Sequence, residues 1–257
     1  NNTWTKYAWP SAVISCCGIF KEVQYMKPHI LLVSTYPGLS ETAKRISKEL
    51  DVPLSVYEGG ILRDGHIYAK KKEREYDVII SQGGTAAVIK EMVKIPVVSI
   101  EISTVDLLNA LVKAKGYGDK IGLVCHRYEN LDALENLRNV LNINFRVFPY
   151  NDKKQLVRQI EDATAIERIT IVAMGGCITE IAREKHLNSV LITCSESAIR
   201  QAIIAAKNIC DIGKNEKERV KWLKAVIDYS AEGIVTLNKN GAMLCCLKTC
   251  WKANFLA

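Results

Sequence analysis

Apolar residues along the chain fall in short runs that end in small or polar residues, and each run is followed by a stretch with helical spacing. Short β-branched runs predict buried strands, whereas apolar residues at every third or fourth position predict amphipathic helices. The predicted strands are residues 30–34, 52–58, 78–81, 97–100, 121–125, 144–149, 169–173 and 190–193. The predicted helices are residues 41–50, 61–72, 85–93, 104–114, 131–141, 153–163, 179–185 and 196–210. Alternating strands and helices predict an α/β fold whose parallel sheets are covered on both faces.

The order of these elements repeats within the chain. The run DVIISQGGTA from Asp77 is echoed by ITIVAMGGCI from Ile169, and ILLVS at 30–34 is echoed by IGLVC at 121–125. Two similar halves predict two Rossmann-like lobes of the flavodoxin-like or periplasmic-binding-protein-like kind, with an interlobe cleft. Because ligands bind beyond the carboxyl ends of parallel strands, we expect the two Gly-Gly turns to face each other across that cleft. The first lobe is predicted to comprise residues 27–102 plus 195–212, and the second residues 103–194.

Composition distinguishes the two ends of the chain from its middle. Five of the nine cysteines and three of the four tryptophans lie in the terminal segments. Residues 1–25 are therefore interpreted as an atypical leader of possibly foreign origin, with Met26 as the natural start. The alternative interpretation is a weak lipoprotein signal in which Cys16 is the lipidated residue. An odd number of cysteines without a Cys-x-x-Cys pair favours a reducing cytoplasm over a zinc ribbon or a disulfide framework.

Charge and motif content exclude several functions. The net charge of +7 is spread along the chain, and its densest run, residues 70–75, mixes both signs, so no direct nucleic-acid contact is predicted. No apolar stretch is long enough to cross a membrane. The four histidines lack metal-ligand spacing, so neither a metal nor a cofactor is expected.

The turn SQGGTAAVIK at residues 81–90 follows a buried strand and opens a helix. The unpaired backbone N–H groups at such a helix start can bind an anion. The turn lacks both the Lys-Ser/Thr pair of a nucleotide P-loop and the three-glycine dinucleotide fingerprint. An anion site and a plain tight turn both remain open on this pattern alone.

Several short motifs in one order carry a family resemblance. They are Lys27-Pro28, SQGGTAA at 81–87, IPVV at 95–98, EIS at 101–103, DLL at 106–108 and SESAI at 195–199. Together they resemble the N-terminal sensor domain of the propionate catabolism activators, which are sigma-54-dependent transcriptional regulators of the NtrC type. The resemblance covers about residues 27–212. Residues 222–241 are similar to the opening of a PAS domain, so residues 213–257 are expected to form a linker helix and an incomplete PAS-like segment that is irregular after Gly241.

The resemblance implies an effector-sensing domain and no enzymatic activity. Such a sensor binds a small organic acid, for example a 2-methylcitrate-like acid, and controls a downstream AAA+ ATPase and a DNA-binding module, neither of which is in this chain. A cytoplasmic homo-oligomer is the expected form. The helix near residues 214–227 would transmit closure of the cleft.

A carboxylate ligand needs several N–H or hydroxyl donors and one or two cations. Glutamates at strand ends could accept a hydrogen bond from a ligand hydroxyl. These requirements select strand-end and helix-start residues. The candidate ligand-binding residues are Ser34, Tyr36, Glu58, Ser81, Gly83, Gly84, Thr85, Glu101, Ser103, His126, Arg127, Gly175, Gly176, Ser195, Glu196 and Ser197.

Two alternative functions stay open. The run MGGCITEI at 174–181 is similar to the cysteine-bearing turn of aspartate and glutamate racemases, which would make Cys177 a catalytic residue. Those enzymes need two thiols, and the repeat puts Thr85 where the second should be. The other alternative is an exported solute-binding protein, which shares the two-lobed cleft.

Overall fold

The computed structural model describes residues 28–126, 143–229, 235–237 and 243–246. Arg127, the helix predicted at 131–141 and the segment 1–25 lie outside the described residues. The strands are β1 (Ile30–Ser34), β2 (Leu54–Glu58), β3 (Val78–Gln82), β4 (Val97–Ile100), β5 (Ile121–His126), β6 (Phe145–Tyr150), β7 (Thr170–Ala173), β8 (Asn188–Leu191), β9 (Val235–Leu237) and β10 (Met243–Cys246). The helices are α1 (Pro37–Glu49), α2 (Gly65–Lys72), α3 (Gly83–Met92), α4 (Thr104–Lys115), α5 (Lys153–Thr164), α6 (Gly176–Glu184) and α7 (Glu196–Tyr229).

Two four-stranded parallel sheets have the same strand order. The first sheet is ordered β2-β1-β3-β4 and the second β6-β5-β7-β8. Ile30 pairs with Leu54 and Val78, and its counterpart Ile121 pairs with Phe145 and Thr170. The predicted α/β fold with two parallel sheets is therefore confirmed. In each sheet the order reverses beside the first strand, which is where open parallel sheets bind ligands.

Helices cover both faces of the first sheet. Successive side chains of β1 point to opposite faces, so neighbouring side chains pack against different pairs of helices. Ile30 and Leu32 belong to a cluster with residues of α1 and α7, whereas Leu31 and Val33 pack with residues of α2 and α3. All four side chains are at most 1% exposed. Full burial of an aliphatic side chain contributes roughly 1.5–3 kcal/mol, so this alternation fixes the register of β1.

The second sheet repeats this packing with helices from other parts of the chain. Leu123 packs with residues of α4, and the next residue, Val124, packs with residues of α5 and α6. The helix that follows the first sheet in the chain, α4, thus covers the second sheet. The helix that follows the second sheet, α7, covers the first. The chain crosses between the sheets at both places, and the residue boundaries of the two lobes stay a prediction.

The predicted helix at 61–72 is wrong in its first turn. Residues Ile61–Arg63 form a 3-10 turn, and Asp64 has a left-handed φ of 57° that separates this turn from α2. A Cβ on Gly65 would lie 1.7 Å from the carbonyl oxygen of Gly59, so only glycine fits there. The turn matters because it places Arg63 beside the end of β2.

The end of the described chain also differs from the prediction. The helix predicted at 196–210 continues without a break through the linker region, so that α7 spans 34 residues. Irregular structure after Gly241 was expected, but β10 pairs with β9 in an antiparallel ladder, in which Cys246 lies opposite Val235. Of the helices that the structure describes, none is both long and apolar enough to span a membrane.

Candidate functional site

A cleft lies between the carboxyl ends of β1 and β2 and the first turn of α6. Its empty space of about 390 Å³ includes open solvent at the mouth, and the part that can hold the centre of a water molecule is about 60 Å³. Both sheets therefore supply its walls. The lining residues are Ser34, Thr35, Tyr36, Pro37, Glu58, Gly59, Gly60, Arg63, Gly176, Cys177 and Glu180.

The two sheets contact each other through two equivalent glycines. A Cβ on Gly84 would lie 2.5 Å from Cβ and Cγ of His126, at the end of β5. A Cβ on Gly176 would lie 2.6 Å from the carbonyl oxygen of Thr35, just beyond the end of β1. Carbon atoms pack at about 3.5 Å or more, so neither position has room for a side chain. Each Gly-Gly turn therefore lies against the strand end of the opposite sheet.

Thr85 and Cys177, the residues that follow the two glycine pairs, both approach Gly60. A Cβ on Gly60 would lie 3.5 Å from the Thr85 hydroxyl oxygen and 3.6 Å from the Cys177 sulfur. The repeat thus brings a hydroxyl and a thiol to the same place. Cys177 lines the cleft directly, whereas Thr85 is 5% exposed behind Gly60.

Three charged side chains line the cleft. Nη2 of Arg63 donates to both carboxylate oxygens of Glu180, each at 2.7 Å, and this ion pair joins an element of the first sheet to α6 of the second. Nε and Nη1 of Arg63 have no hydrogen-bond partner among the described residues. Glu58, at the end of β2, is exposed and likewise has no partner in the described part of the chain. The lining thus carries one cation and two carboxylates.

Tyr36 fixes the wall at the end of β1. Its hydroxyl accepts a hydrogen bond of 3.0 Å from the backbone N–H of Cys194, just before α7. Burial and the neighbouring Cys194 raise the pKa of Tyr36 well above its ordinary range, so the side chain stays a neutral phenol. The hydroxyl of Ser34 donates to the backbone oxygen of Tyr36 at 2.8 Å. Both side chains therefore have a structural partner beside the cleft.

The side-chain amide of Gln82 lies next to this wall and has an unpaired donor among the described residues. Its Oε1 accepts from the Thr35 hydroxyl at 3.4 Å, while its Nε2 is fully buried without a partner among the described residues. A buried donor without an acceptor is costly, and a bound water or ion is one explanation for such a group. Gln82 was not among the residues that the sequence suggested.

The structure brings some of the candidate residues into the cleft and places others elsewhere. Those in the cleft lining are Ser34, Tyr36, Glu58 and Gly176, together with the alternative catalytic residue Cys177. Residues with a position outside the lining are Ser81, Gly83, Gly84, Thr85, Glu101, Ser103, His126, Gly175, Ser195, Glu196 and Ser197. Arg127 lies outside the described residues.

Several of the residues outside the lining have defined structural contacts. The Ser81 hydroxyl donates to the backbone oxygen of Val33, and Ser103 forms a capping box with Asp106 at the start of α4. His126 is fully buried, with Nε2 3.3 Å from the backbone oxygen of Asn151. Glu196 belongs to an ion-pair network between α1 and α7. The members of that network are Arg45, Glu49, Glu196 and Arg200.

Arg63 and Glu180 are the charged lining residues that the sequence interpretation missed. Arg63 was hidden in the helix predicted at 61–72, although Gly59-Gly60 directly after a strand resembles the other two glycine turns. Glu180 follows Cys177 by three residues, which places both on the same face of α6. A strand-end glycine pair followed by a cation was thus the available signal. Within the described residues no cluster of three or more metal-ligating side chains occurs.

Comparison with known proteins gives a family and a fold. The family model described as propionate catabolism activator matches residues 48–216, well over half of the chain. An NtrC family transcriptional regulator from Clostridium acetobutylicum is similar in structure, with a TM-score of 0.65 and 24% sequence identity. That likeness covers 73% of this chain and 98% of the other. At this identity it shows the shared fold.

Two further solved structures are more distant. A ligand-free, open substrate-binding protein from Clostridium difficile has a TM-score of 0.32 and 13% identity, over 72% of this chain and 85% of its own. Allantoin racemase from Pseudomonas fluorescens has a TM-score of 0.29 and 17% identity, over 73% of this chain and 92% of its own. These scores are too low to support a functional inference.

Proposed function

The chain belongs to the propionate catabolism activator family, and we propose that it is the effector-sensing domain of a sigma-54-dependent activator whose interlobe cleft binds a small organic acid. The observation that carries the proposal is Arg63, which lines a cleft walled by both sheets and whose Nε and Nη1 have no partner among the described residues. A guanidinium N–H forms a charge-assisted hydrogen bond to a carboxylate, so Arg63 suits a carboxylate ligand. Membership of the family supports a regulatory sensor domain.

Ligand binding can act as a signal because the cleft is formed by two separate sheets. A ligand shifts a conformational equilibrium only as far as it binds one state better than the other. An acid that contacts Arg63 on one side and the first turn of α6 on the other would favour an arrangement in which the two sheets close over the ligand. The continuous helix α7 starts beside Tyr36 through the Cys194 hydrogen bond, so it is the element we propose as the output.

The proposal includes the rest of the regulator. In the full protein, α7 would lead through a PAS module to an AAA+ ATPase and a DNA-binding module, and the protein would act in the cytoplasm as a homo-oligomer. β9 lies within residues 222–241, which resemble the opening of a PAS domain, and it pairs with β10.

The test is calorimetric titration of the full chain with small mono-, di- and tricarboxylic acids, 2-methylcitrate included. Arg63→Gln should weaken binding by about tenfold or more, because a charge-assisted hydrogen bond is lost. Arg74→Gln, which removes an exposed arginine away from the cleft, is the matched control and should leave affinity unchanged. Binding should also slow alkylation of Cys177 by iodoacetamide, read by peptide mass spectrometry.

Results of the opposite kind would reject the proposal. No binding by any acid to the folded chain, or unchanged affinity in Arg63→Gln, would contradict it. The thiol of Cys177 in the cleft keeps a racemase as the second candidate, although the residue that meets it at Gly60 is Thr85. Racemisation of aspartate or glutamate that is lost in Cys177→Ser would favour that enzyme over the sensor.

A further inference from the structure

The second half of α7 extends beyond the first sheet and carries an exposed apolar stripe. Cys210 is the last residue of the helix in the core of that sheet, and beyond it every side chain of α7 that the structure describes is exposed, except one that is half-buried. Ile212 and Leu223, 68% and 43% exposed, lie on one face of this extension, with Val220 and Trp222 on the two sides of that face. A helix without packing is only marginally stable in water, so this face needs a partner.

The stripe has the residue spacing of a coiled-coil seam. Its members follow one another at intervals of four, three and four residues, as the a and d positions of successive heptads do. They are Ile212, Glu216, Arg219 and Leu223. The two central members are charged, and neither forms an ion pair within the described part of the chain. The matching surface is therefore apolar at both ends and carries the opposite charges in its middle.

A second copy of the same helix meets this requirement in one orientation only. In an antiparallel pair centred between residues 217 and 218, Glu216 of each helix lies opposite Arg219 of the other, and the same register places Ile212 opposite Leu223. In a parallel pair each residue faces its own counterpart, so that Glu216 meets Glu216 and Arg219 meets Arg219. Like charges placed opposite each other are unfavourable. We propose that two copies of this chain associate through α7, with the two helices antiparallel and related by a two-fold axis.

The first sheet leaves room for the second helix. At about 100° per residue, Ala206 and Cys210, which face the core of that sheet, lie roughly 120–160° around α7 from Ile212. Asn208, which points within about 40° of the direction of Ile212, is exposed. The stripe thus faces away from the sheet. The inference takes from the proposed function only the expectation of a homo-oligomer, and it does not involve the cleft.

The experiment is sedimentation equilibrium of the full chain at low salt over a wide range of concentrations. The chain should form a dimer, and Glu216→Arg should raise its dissociation constant about tenfold or more, because both symmetric contacts with Arg219 become repulsive. The double variant Glu216→Arg, Arg219→Glu should restore the dimer. Leu223→Gln, which keeps a good helix former, should also weaken it. Glu218→Arg, a charge reversal on the opposite face of α7, is the matched control and should change nothing.

Charge reversal also distinguishes the two orientations. In a parallel pair residue 216 faces its own counterpart, so Glu216→Arg only exchanges one like-charge contact for another and should leave the dissociation constant unchanged. Circular dichroism of each variant shows whether the helix content is retained.

Three results would overturn the inference. A folded chain that stays monomeric at every concentration has another partner on the stripe, such as the residues that follow α7. A dimer that is unchanged in both Glu216→Arg and Leu223→Gln uses a different surface. A dimer that Leu223→Gln weakens, but that Glu216→Arg leaves unchanged or the double variant fails to restore, is not antiparallel. The sensor proposal is tested separately by acid binding, so either can fail while the other stands.

Discussion

The two glycine turns occupy equivalent places in two sheets of the same strand order, yet they differ in conformation and surroundings. Gly83 has a left-handed φ of 52°, whereas its counterpart Gly175 is extended at −172°. The first turn lies against the fully buried side chain of His126. The second lies against the backbone of Thr35 and carries Cys177 into a cleft. The repeated backbone thus provides two equivalent turns, and the residues around each turn determine whether it is buried or borders a cleft.

The largest expected effect on stability comes from adding a methyl group at the two close contacts between the sheets. Gly84→Ala and Gly176→Ala should each lower the free energy of unfolding by about 1–3 kcal/mol, because the added methyl group overlaps buried atoms. Gly176→Ala should cost more, since its nearest atom is a backbone oxygen at 2.6 Å that cannot rotate away. Urea denaturation measures both changes.

Gly213→Ala is the matched control for that pair. Gly213 lies in α7 with no atom within 4 Å of an added Cβ, so alanine should stabilise the helix by about 1 kcal/mol. Loss of stability in Gly213→Ala, or none in Gly84→Ala and Gly176→Ala, would contradict the close contacts described here.

The next effect separates the conformations of the two turns. Gly83→Ala places a side chain at a left-handed φ and should cost about 1–2 kcal/mol. Gly175→Ala should be close to neutral, because extended backbone accepts any residue and the nearest atom to its Cβ, the Cys177 sulfur, is 3.9 Å away. Urea denaturation of the two variants side by side provides the measurement. Equal costs would mean that the turns share one conformation.

The smallest effect compares ion pairs on the helices of the two sheets. Hydrogen bonds from Arg45, and also from Arg200, lower the pKa of Glu196 below its ordinary value of 4.5, and those from Arg200 and Arg45 lower that of Glu49. A lowered folded-state pKa stabilises the protein above the ordinary value, and this contribution is lost as the pH falls through the lowered pKa. Glu196→Gln should therefore reduce the melting temperature slightly near neutral pH and not at strongly acidic pH.

The second sheet supplies the control for this comparison. Glu161 of α5 forms one exposed pair with Lys185 at 3.1 Å, and neither residue joins a larger network within the described part of the chain. Exposed single pairs contribute little, and salt screens them. Glu161→Gln should change the melting temperature less than Glu196→Gln at low salt. An equal shift for both variants would show that the network adds nothing to its separate pairs.

Much of the fold was predictable from local patterns. Short β-branched apolar runs such as ILLVS at 30–34 favour a buried strand, and the two similar runs of strand and glycine turn predicted two similar sheets. The break inside the helix predicted at 61–72 was also signalled locally, because Asp64-Gly65 is a typical turn dipeptide and Asp tolerates a left-handed φ. The apolar spacing around it favours a helix, and that pattern obscures the turn that contains Arg63.

The candidate site was predictable only in part, for a related reason. Residues at strand ends can be read from the pattern, and Ser34, Tyr36, Glu58 and Gly176 do line the cleft. Partners across the two sheets cannot be read in this way, since Arg63 and Glu180 are 117 residues apart in the chain. The packing of one sheet against the other determines whether a strand-end residue is buried or lines the cleft.

The sequence by itself therefore determined the α/β class, the repeated half-chain and the family, because each depends on hydrophobic periodicity or on contiguous motifs. Only the tertiary structure decided that Gly84 packs against the His126 side chain while Gly176 lines an open cleft. It also decided that Arg63 is the cation among the described residues of the cleft lining. Those properties arise from contacts between residues distant in the chain, and no local pattern records such contacts.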